Sequence, residues 1–271
     1  MQHYVSSFFQ GKVIWITGAS SGIGEALAYA FAASKAQLIL SARDKQALEK
    51  VAQSCLTLTS EVLVLPLDLA QPEGFETATK QVVAQFGRID TLVNNAGISQ
   101  RSYFVDTELS VFKRIMDINF MGTVALTKAV LPVMLAHGGG TFVAVTSVVG
   151  KYGTPLRTAY SASKHALHGF FDALRAETHD KGIKVMLACP GYVKTNISYN
   201  ALVGDGSAQG TMDPGQAAGL APEQCAKSIL KGLEKGKLEI YPAGLKELSG
   251  VYMKRFFPGI MAKIVRKVNV R

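Results

Sequence analysis

Residues 13–24 read VIWITGASSGIG. A short run rich in β-branched and aromatic residues, the habit of a buried strand, passes directly into glycines at 18, 22 and 24 and then into a helix-forming segment. Glycines there let a chain turn sharply and approach a pyrophosphate, which the free N–H groups at a helix start stabilise. The spacing is G-x3-G-x-G, which departs from the common dinucleotide form G-x-G-x-x-G. A tight strand–helix turn without a ligand could carry the same glycines. Placement directly after the first strand favours the nucleotide site.

The same alternation continues outward from this turn. QLILSA (37–42), VLVLPLD (62–68), TLVNNAG (91–97), TFVAVTS (141–147) and KVMLACP (184–190) are short, aliphatic and bounded by turn formers, and LEIYPA (238–243) is a weaker seventh. Helical stretches such as GEALAYAFAASK lie between them. Fully apolar strands separated by helices predict a parallel sheet covered on both faces. The expectation is an α/β, doubly wound, single Rossmann-type domain over residues 1–244. Residues 198–222, rich in Gly, Ala and Asp, break the rhythm and read as a lid or substrate loop.

Of the 271 residues 48% are hydrophobic and 18% charged, which supplies a core and excludes a disordered chain. Cys55, Cys189 and Cys225 are too few and too scattered for a disulfide framework or a metal site, and a reducing cytoplasm is expected. MQHYVSSFFQGK lacks the pattern of a signal peptide, and no stretch of about 18 uninterrupted apolar residues suggests a spanning helix. The net charge of +9 is concentrated. Residues 245–271 hold seven basic residues and one acid, which is +6 of it. Leu245, Leu248, Tyr252, Phe256, Ile260, Ile264 and Val268 recur there at helical spacing, interrupted by Pro258–Gly259. This extension is either an amphipathic helix on an anionic membrane surface or one packed on the domain or a partner. It carries no nucleic-acid motif, and no nucleic-acid partner is expected.

At the end of the second strand the sequence is LSARDK. An acid there suits the ribose 2′-hydroxyl of NAD, whereas an arginine suits the 2′-phosphate of NADP. Asp44 competes with Arg43, yet Asp before KQALEK also reads as an N-cap. NADP(H) is therefore expected over NAD(H), with Arg43 as reader.

Residues 146–164, TSVVGKYGTPLRTAYSASK, end a strand on Ser147 and place Lys164 one helical turn beyond Tyr160. These motifs, with Asp68, NNAG (94–97), Asn119 and PGYVKT (190–195), resemble short-chain dehydrogenases/reductases over about residues 10–245. DGSAQGTMD, PEQCAKSIL and VYMKRFFPGIMA further resemble a dehydrogenase/reductase 7B-like subgroup. The resemblance implies an alcohol/ketone oxidoreductase on a small molecule, acting as a homodimer or homotetramer, and the membrane reading of the C-terminal extension would suit a lipophilic substrate. A cofactor-retaining isomerase or dehydratase, or a nucleotide-binding regulatory protein, are the alternatives.

A tyrosine with its ordinary pKa near 10 is a poor acid–base group at neutrality. A cation about 4 Å away at an effective dielectric near 20 contributes roughly 4 kcal/mol, up to about three pKa units. On this reading Lys164 lowers the pKa of Tyr160, the proton donor. Ser147 holds the substrate oxygen. By resemblance Lys164 also binds the nicotinamide ribose and Asn119 supports a proton path behind it. Cofactor contacts carried over are Gly18, Ser20, Ser21, Gly22, Ile23 and Gly24 at the phosphates, and Asp68 and Leu69 at the adenine. Asn95, Ala96 and Gly97 fall beside the adenosine ribose, and Pro190, Gly191, Val193 and Thr195 at the carboxamide. Asn94 is expected to brace the sheet, and His165 and His168 to pack.

Overall fold

In the computed structural model, which describes residues 4–268, the strands β1 (Val13–Thr17), β2 (Gln37–Ser41), β3 (Val62–Val64), β4 (Thr91–Asn94), β5 (Gly140–Val145), β6 (Ile183–Ala188) and β7 (Glu239–Ile240) form one sheet. Its order is β3-β2-β1-β4-β5-β6-β7, with every pairing parallel. All seven expected strands are present. The third is shorter than 62–68 because Pro66 has no N–H to donate. Leu65 and Leu67 still donate to Leu40 and Ala42 at 3.0 Å each, so the chain stays extended towards Asp68.

Side chains of successive strand residues point to opposite faces. Ile14, Ile16, Leu38, Leu40, Val143 and Met186 pack one face beneath α1 (Gly22–Ala33), α2 (Lys45–Leu56) and a later helix over Pro222–Glu234. Val13, Trp15, Ile39, Leu92, Phe142 and Val185 pack the other. That second face is covered by α3 (Phe75–Phe86), by α4 (Leu109–Met116) continuing through a π turn at Asp117–Met121 into α5 (Gly122–Ala136), and by α6 (Thr158–Glu177). Each large apolar side chain so buried contributes roughly 1.5–3 kcal/mol.

Leu109–Ala136 is long and apolar enough to cross a bilayer, which a search for uninterrupted apolar runs did not predict. Its Ile115, Leu126, Val130 and Met134 are instead fully buried in the domain. The remaining helices are α7 (Pro214–Ala217) inside the 198–222 segment, α8 (Pro222–Glu234), and α9 (Leu245–Phe256) and α10 (Pro258–Val265), which break at Pro258 as expected.

The C-terminal helices do not bury the stripe read from the sequence. Val251 and Met261 face inward and join a cluster with Val148, Val149, Tyr152 and Tyr160. Leu245, Tyr252, Phe256, Ile260 and Ile264 face outward, with Phe257 beside them. The inward side is chosen by fit against the turn after β5, which hydrophobic spacing alone does not encode. Arg271, counted in the basic tail, lies outside the described residues.

Candidate active site

The glycine turn sits between β1 and α1, at the carboxyl edge of the sheet. Gly18 and Gly22 take left-handed φ values of +65° and +61°. A Cβ on Gly24 would fall 2.0 Å from the Gly18 carbonyl oxygen, and one on Gly22 2.8 Å from Thr195 Cγ2. The turn is thus closed on itself and roofed by the 190–195 segment. Ser21, exposed at the rim, precedes α1 without capping it. The first N–H groups of the helix, with the backbone of Ser20 and Ile23, form a cradle that fits a pyrophosphate.

Three of the expected cofactor contacts turn their side chains into the fold. The Asn95 amide donates to Thr17 O at 3.0 Å and Gly18 O at 3.2 Å, so it braces the turn. Leu69 and Val193 bury their side chains in the two core clusters, leaving only backbone to offer a ligand. Ala96 and Gly97 remain half-exposed beyond β4. Asn94, expected to stabilise the sheet, donates to Thr127 Oγ1 at 3.3 Å.

At the end of β2, Ser41 Oγ accepts from the Trp15 indole at 2.8 Å. Asp44 accepts from Ala47 N at 3.0 Å and caps α2, as its position before KQALEK predicts. Arg43 is exposed between them. Asp68, half-buried, accepts from Ala70 N at 3.0 Å.

Ser147, Tyr160, Lys164 and Asn119 meet across β5, α6 and the π turn. Ser147 ends β5, its hydroxyl accepting from Val149 N at 3.3 Å and lying within hydrogen-bond reach of both Pro190 O, at 3.3 Å, and the Tyr160 hydroxyl, with one hydrogen to share between them. Lys164 Nζ donates to Val145 O at 2.9 Å and lies 5.7 Å from the Tyr160 ring centroid. A Cβ on Gly97 would come within 3.1 Å of Asn119 Oδ1 and 3.5 Å of Lys164 Nζ, so the three converge. Asn119 accepts from Ile98 N at 2.8 Å and donates to Ile98 O and Ser163 Oγ at 2.9 and 3.0 Å.

The electrostatics differ from expectation. Burial pushes the Tyr160 phenol above its ordinary range, opposed by Arg157, Arg101 and the Ser147 hydrogen bond. Desolvation lowers the pKa of Lys164 itself to about 8, and its ammonium directs one hydrogen bond at the Val145 carbonyl. A lysine on the same helix face was read as the source of Tyr160 acidity; here two arginines are the opposing cations.

The family model described as short chain dehydrogenase matches residues 12–202. The chain belongs to the short-chain dehydrogenase/reductase family. It is an NAD(P)-dependent oxidoreductase. Dehydrogenase/reductase SDR family member 7B of Xenopus laevis is 42% identical over 265 residues, covering 96% of this chain and 82% of the relative. Similarity at that level places the chain with the 7B-like subgroup. A short-chain dehydrogenase/reductase of Burkholderia phymatum in complex with NAD has the same fold, with TM-score 0.81 at 22% identity over 97% of both chains. An alcohol dehydrogenase of Thermococcus sibiricus complexed with 5-hydroxy-NADP matches with TM-score 0.72 at 28% identity, covering 86% of this chain and 96% of that one.

The dehydrogenase uses further residues that sequence reading missed. Gln100 Oε1 accepts from Ala159 N at 2.8 Å and secures the first turn of α6, which carries Tyr160. Gln216 of α7 donates to Val193 O and to Thr195 Oγ1, the latter at 3.2 Å, tying the 198–222 segment to the roof of the glycine turn. A lone glutamine gives no periodic or motif signal, so neither could be singled out. Asp213, in the 198–222 segment, is 2% exposed and paired with Arg101 and Arg157. Leu156, just before Arg157, takes a left-handed φ of +65°, a strain of about 1–2 kcal/mol.

One cluster of metal-ligand type also forms: atoms of His168, Cys189 and Glu239 lie within 4.8 Å of one another. Sequence spacing did not reveal it because the residues come from α6, the end of β6 and β7. Lys151 already binds Glu239 at 2.8 Å, and burial pushes the Cys189 thiol up to about 12. Packing accounts for the trio.

Proposed function

We propose that the enzyme interconverts a secondary alcohol and a ketone, with NADP(H) preferred over NAD(H) and Tyr160 as the acid/base. The convergence of Ser147, Tyr160 and Lys164 beside the glycine turn carries this reading. The bound nicotinamide supplies or takes up the hydride. Ser147 Oγ orients the substrate oxygen, and in reduction the Tyr160 hydroxyl gives it a proton. Lys164 and Asn119 hold the inner end of the site through Val145, Ile98 and Ser163. The apolar wall of Val148, Val149, Val251 and Met261 excludes water and suits a lipophilic ketone.

The NADP preference rests on Arg43, since Asp44 is committed to its cap and the β2 end offers no free acid. Oxidation of NADPH should outpace that of NADH on matched long- and short-chain ketones. Arg43→Ala should raise KM for NADPH roughly ten- to a hundredfold and leave NADH unchanged, the loss of one charge-assisted contact. Equal effects on both cofactors would remove Arg43 from the 2′-phosphate. Faster long-chain turnover would support the lipophilic pocket.

The outward row of Tyr252, Phe256, Phe257, Ile260 and Ile264 lies among Lys254, Arg255, Lys263 and Arg266, all exposed. We propose that this face rests on an anionic membrane surface, bringing the pocket wall it backs close to lipid. The protein should sediment with phosphatidylserine-containing vesicles at low salt and release above roughly 0.5 M salt. Equal recovery with and without vesicles would return the face to a protein contact.

A further inference from the structure

Helix α6, which carries Tyr160, starts without a cap of its own. The first N–H groups of a helix have no partner within it, and Arg157, in the capping position, makes no side-chain bond to them. The acceptor comes from another element. Gln100, fully buried in the loop after β4, accepts from Ala159 N at 2.8 Å through Oε1. Its Nε2 faces Thr107 Oγ1 at 3.1 Å, Ser102 Oγ and Thr158 Oγ1 at 3.3 Å, and Ser102 O at 3.4 Å. The amide fits only this way round, because a backbone N–H only donates and a carbonyl only accepts.

The backbone of Gln100 is held in turn by the 198–222 segment. Leu202 lies opposite Gln100 in a parallel bridge, its N–H donating to Ser99 O at 2.9 Å and its carbonyl accepting from Arg101 N at 2.8 Å. The Leu202 side chain, 6% exposed, packs with Ala159, Val111 and Ile115. Two residues on, Gly204 O accepts from Glu108 N at 2.9 Å, and a Cβ on Gly204 would fall 2.0 Å from Asp106 O. Segment, loop and helix start therefore form one continuous run of contacts, which ends one residue before Tyr160.

We propose, on the reading of Tyr160 as the acid/base, that Gln100 is a positioning residue through which the seating of the 198–222 segment sets Tyr160. With Leu202 paired, the Gln100 amide stands against the start of α6 and the phenol is held toward Ser147. With the segment lifted, residues 99–101 lose their partner, the cap loosens and Tyr160 is no longer fixed. Reaction rates are sensitive at this scale, since a displacement of about 1 Å can cost roughly a hundredfold. A cap that served stability alone could be supplied by a short polar residue at position 157 itself. Placing it on the loop that pairs with Leu202 makes the helix start depend on the segment.

Two double-substitution cycles test the coupling, read as kcat for NADPH oxidation on whichever of butanone and methyl octyl ketone turns over faster. Gln100→Leu keeps a side chain of similar size and withdraws the acceptor from Ala159 N, while Ser102 Oγ and Thr107 Oγ1, 2.7 Å apart, retain each other. It should lower kcat about tenfold when Tyr160 is present and less than about twofold in Tyr160→Phe, with the dissociation constant for NADPH within about twofold throughout. Gly204→Ala, which forces the segment off Asp106, should lower kcat about fivefold with Gln100 in place and less than about twofold in Gln100→Leu. A glutamine that only stabilises the fold predicts the same factor in both backgrounds of each cycle. Equal factors in either cycle overturn the proposal, as does full kcat in Gln100→Leu. Should Gln100→Leu fail to fold, Gln100→Asn, one methylene shorter, takes its place with the same expected pattern. An error in the role of Tyr160 shows separately, as turnover retained by Tyr160→Phe alone.

Discussion

Tyr160→Phe should lose between about a hundredfold and ten-thousandfold in kcat for NADPH-dependent ketone reduction, the usual worth of one positioned acid. Cofactor affinity should change by less than about twofold, measured by quenching of NADPH fluorescence, because the glycine turn is untouched. The substitution separates chemistry from architecture. Tyr160 packs with Val148, Val149, Tyr152, Val251 and Met261, and phenylalanine keeps that ring burial. What disappears is one hydroxyl, bonded to Ser147 and raised by burial against the pull of two arginines. At neutral pH the phenol is therefore protonated, the form that reduction needs, as an exposed tyrosine would also be, so the loss reads the position of this hydroxyl and not its protonation state. Turnover within threefold of the unsubstituted enzyme would remove Tyr160 from the chemistry and leave the fold assignment intact.

The sheet was legible because each strand is a short aliphatic run that must be buried on both sides, and such runs have few alternative homes. The glycine turn was legible for a related reason: left-handed backbone and close approach restrict Gly18, Gly22 and Gly24 to glycine, leaving a fixed mark in sequence. Ser147, Tyr160 and Lys164 were singled out by their resemblance to the family's motif order, and a strand end followed by two positions on one helix face is a spacing that allows them to meet. The Arg101–Asp213–Arg157 triad could not be read this way. Its members lie on three elements, and a buried arginine has the same letter as a surface one. The side that α9 and α10 cover was left open by the sequence for another reason. Helical periodicity shows that a helix has two faces, but the partner, here the turn carrying Val148 and Val149, decides which one is covered.

Gly24→Ala should abolish measurable cofactor binding, a loss of at least about a hundredfold in affinity, and lower folding stability by roughly 1–3 kcal/mol or more. The added Cβ would sit 2.0 Å from Gly18 O and 2.6 Å from Asn95 Nδ2. Neither is the loose end of a flexible chain. Gly18 O belongs to the turn itself and accepts from the Asn95 amide, which also holds Thr17 O. Relief of the clash must therefore move α1 away from the turn or break the brace to β4. Both movements open the phosphate cradle, so stability and binding should fall together. The same substitution elsewhere provides the control. Gly169 lies on the exposed side of α6, with nothing within 4 Å of an added Cβ. Gly169→Ala should leave cofactor binding unchanged and stabilise the helix by about 0.4–1 kcal/mol through the lost freedom of the unfolded chain. Thermal unfolding with and without NADPH measures both effects. A Gly24→Ala protein whose Tm still rises normally with NADPH would mean that the turn can relax without opening, and that the cofactor rests on other contacts.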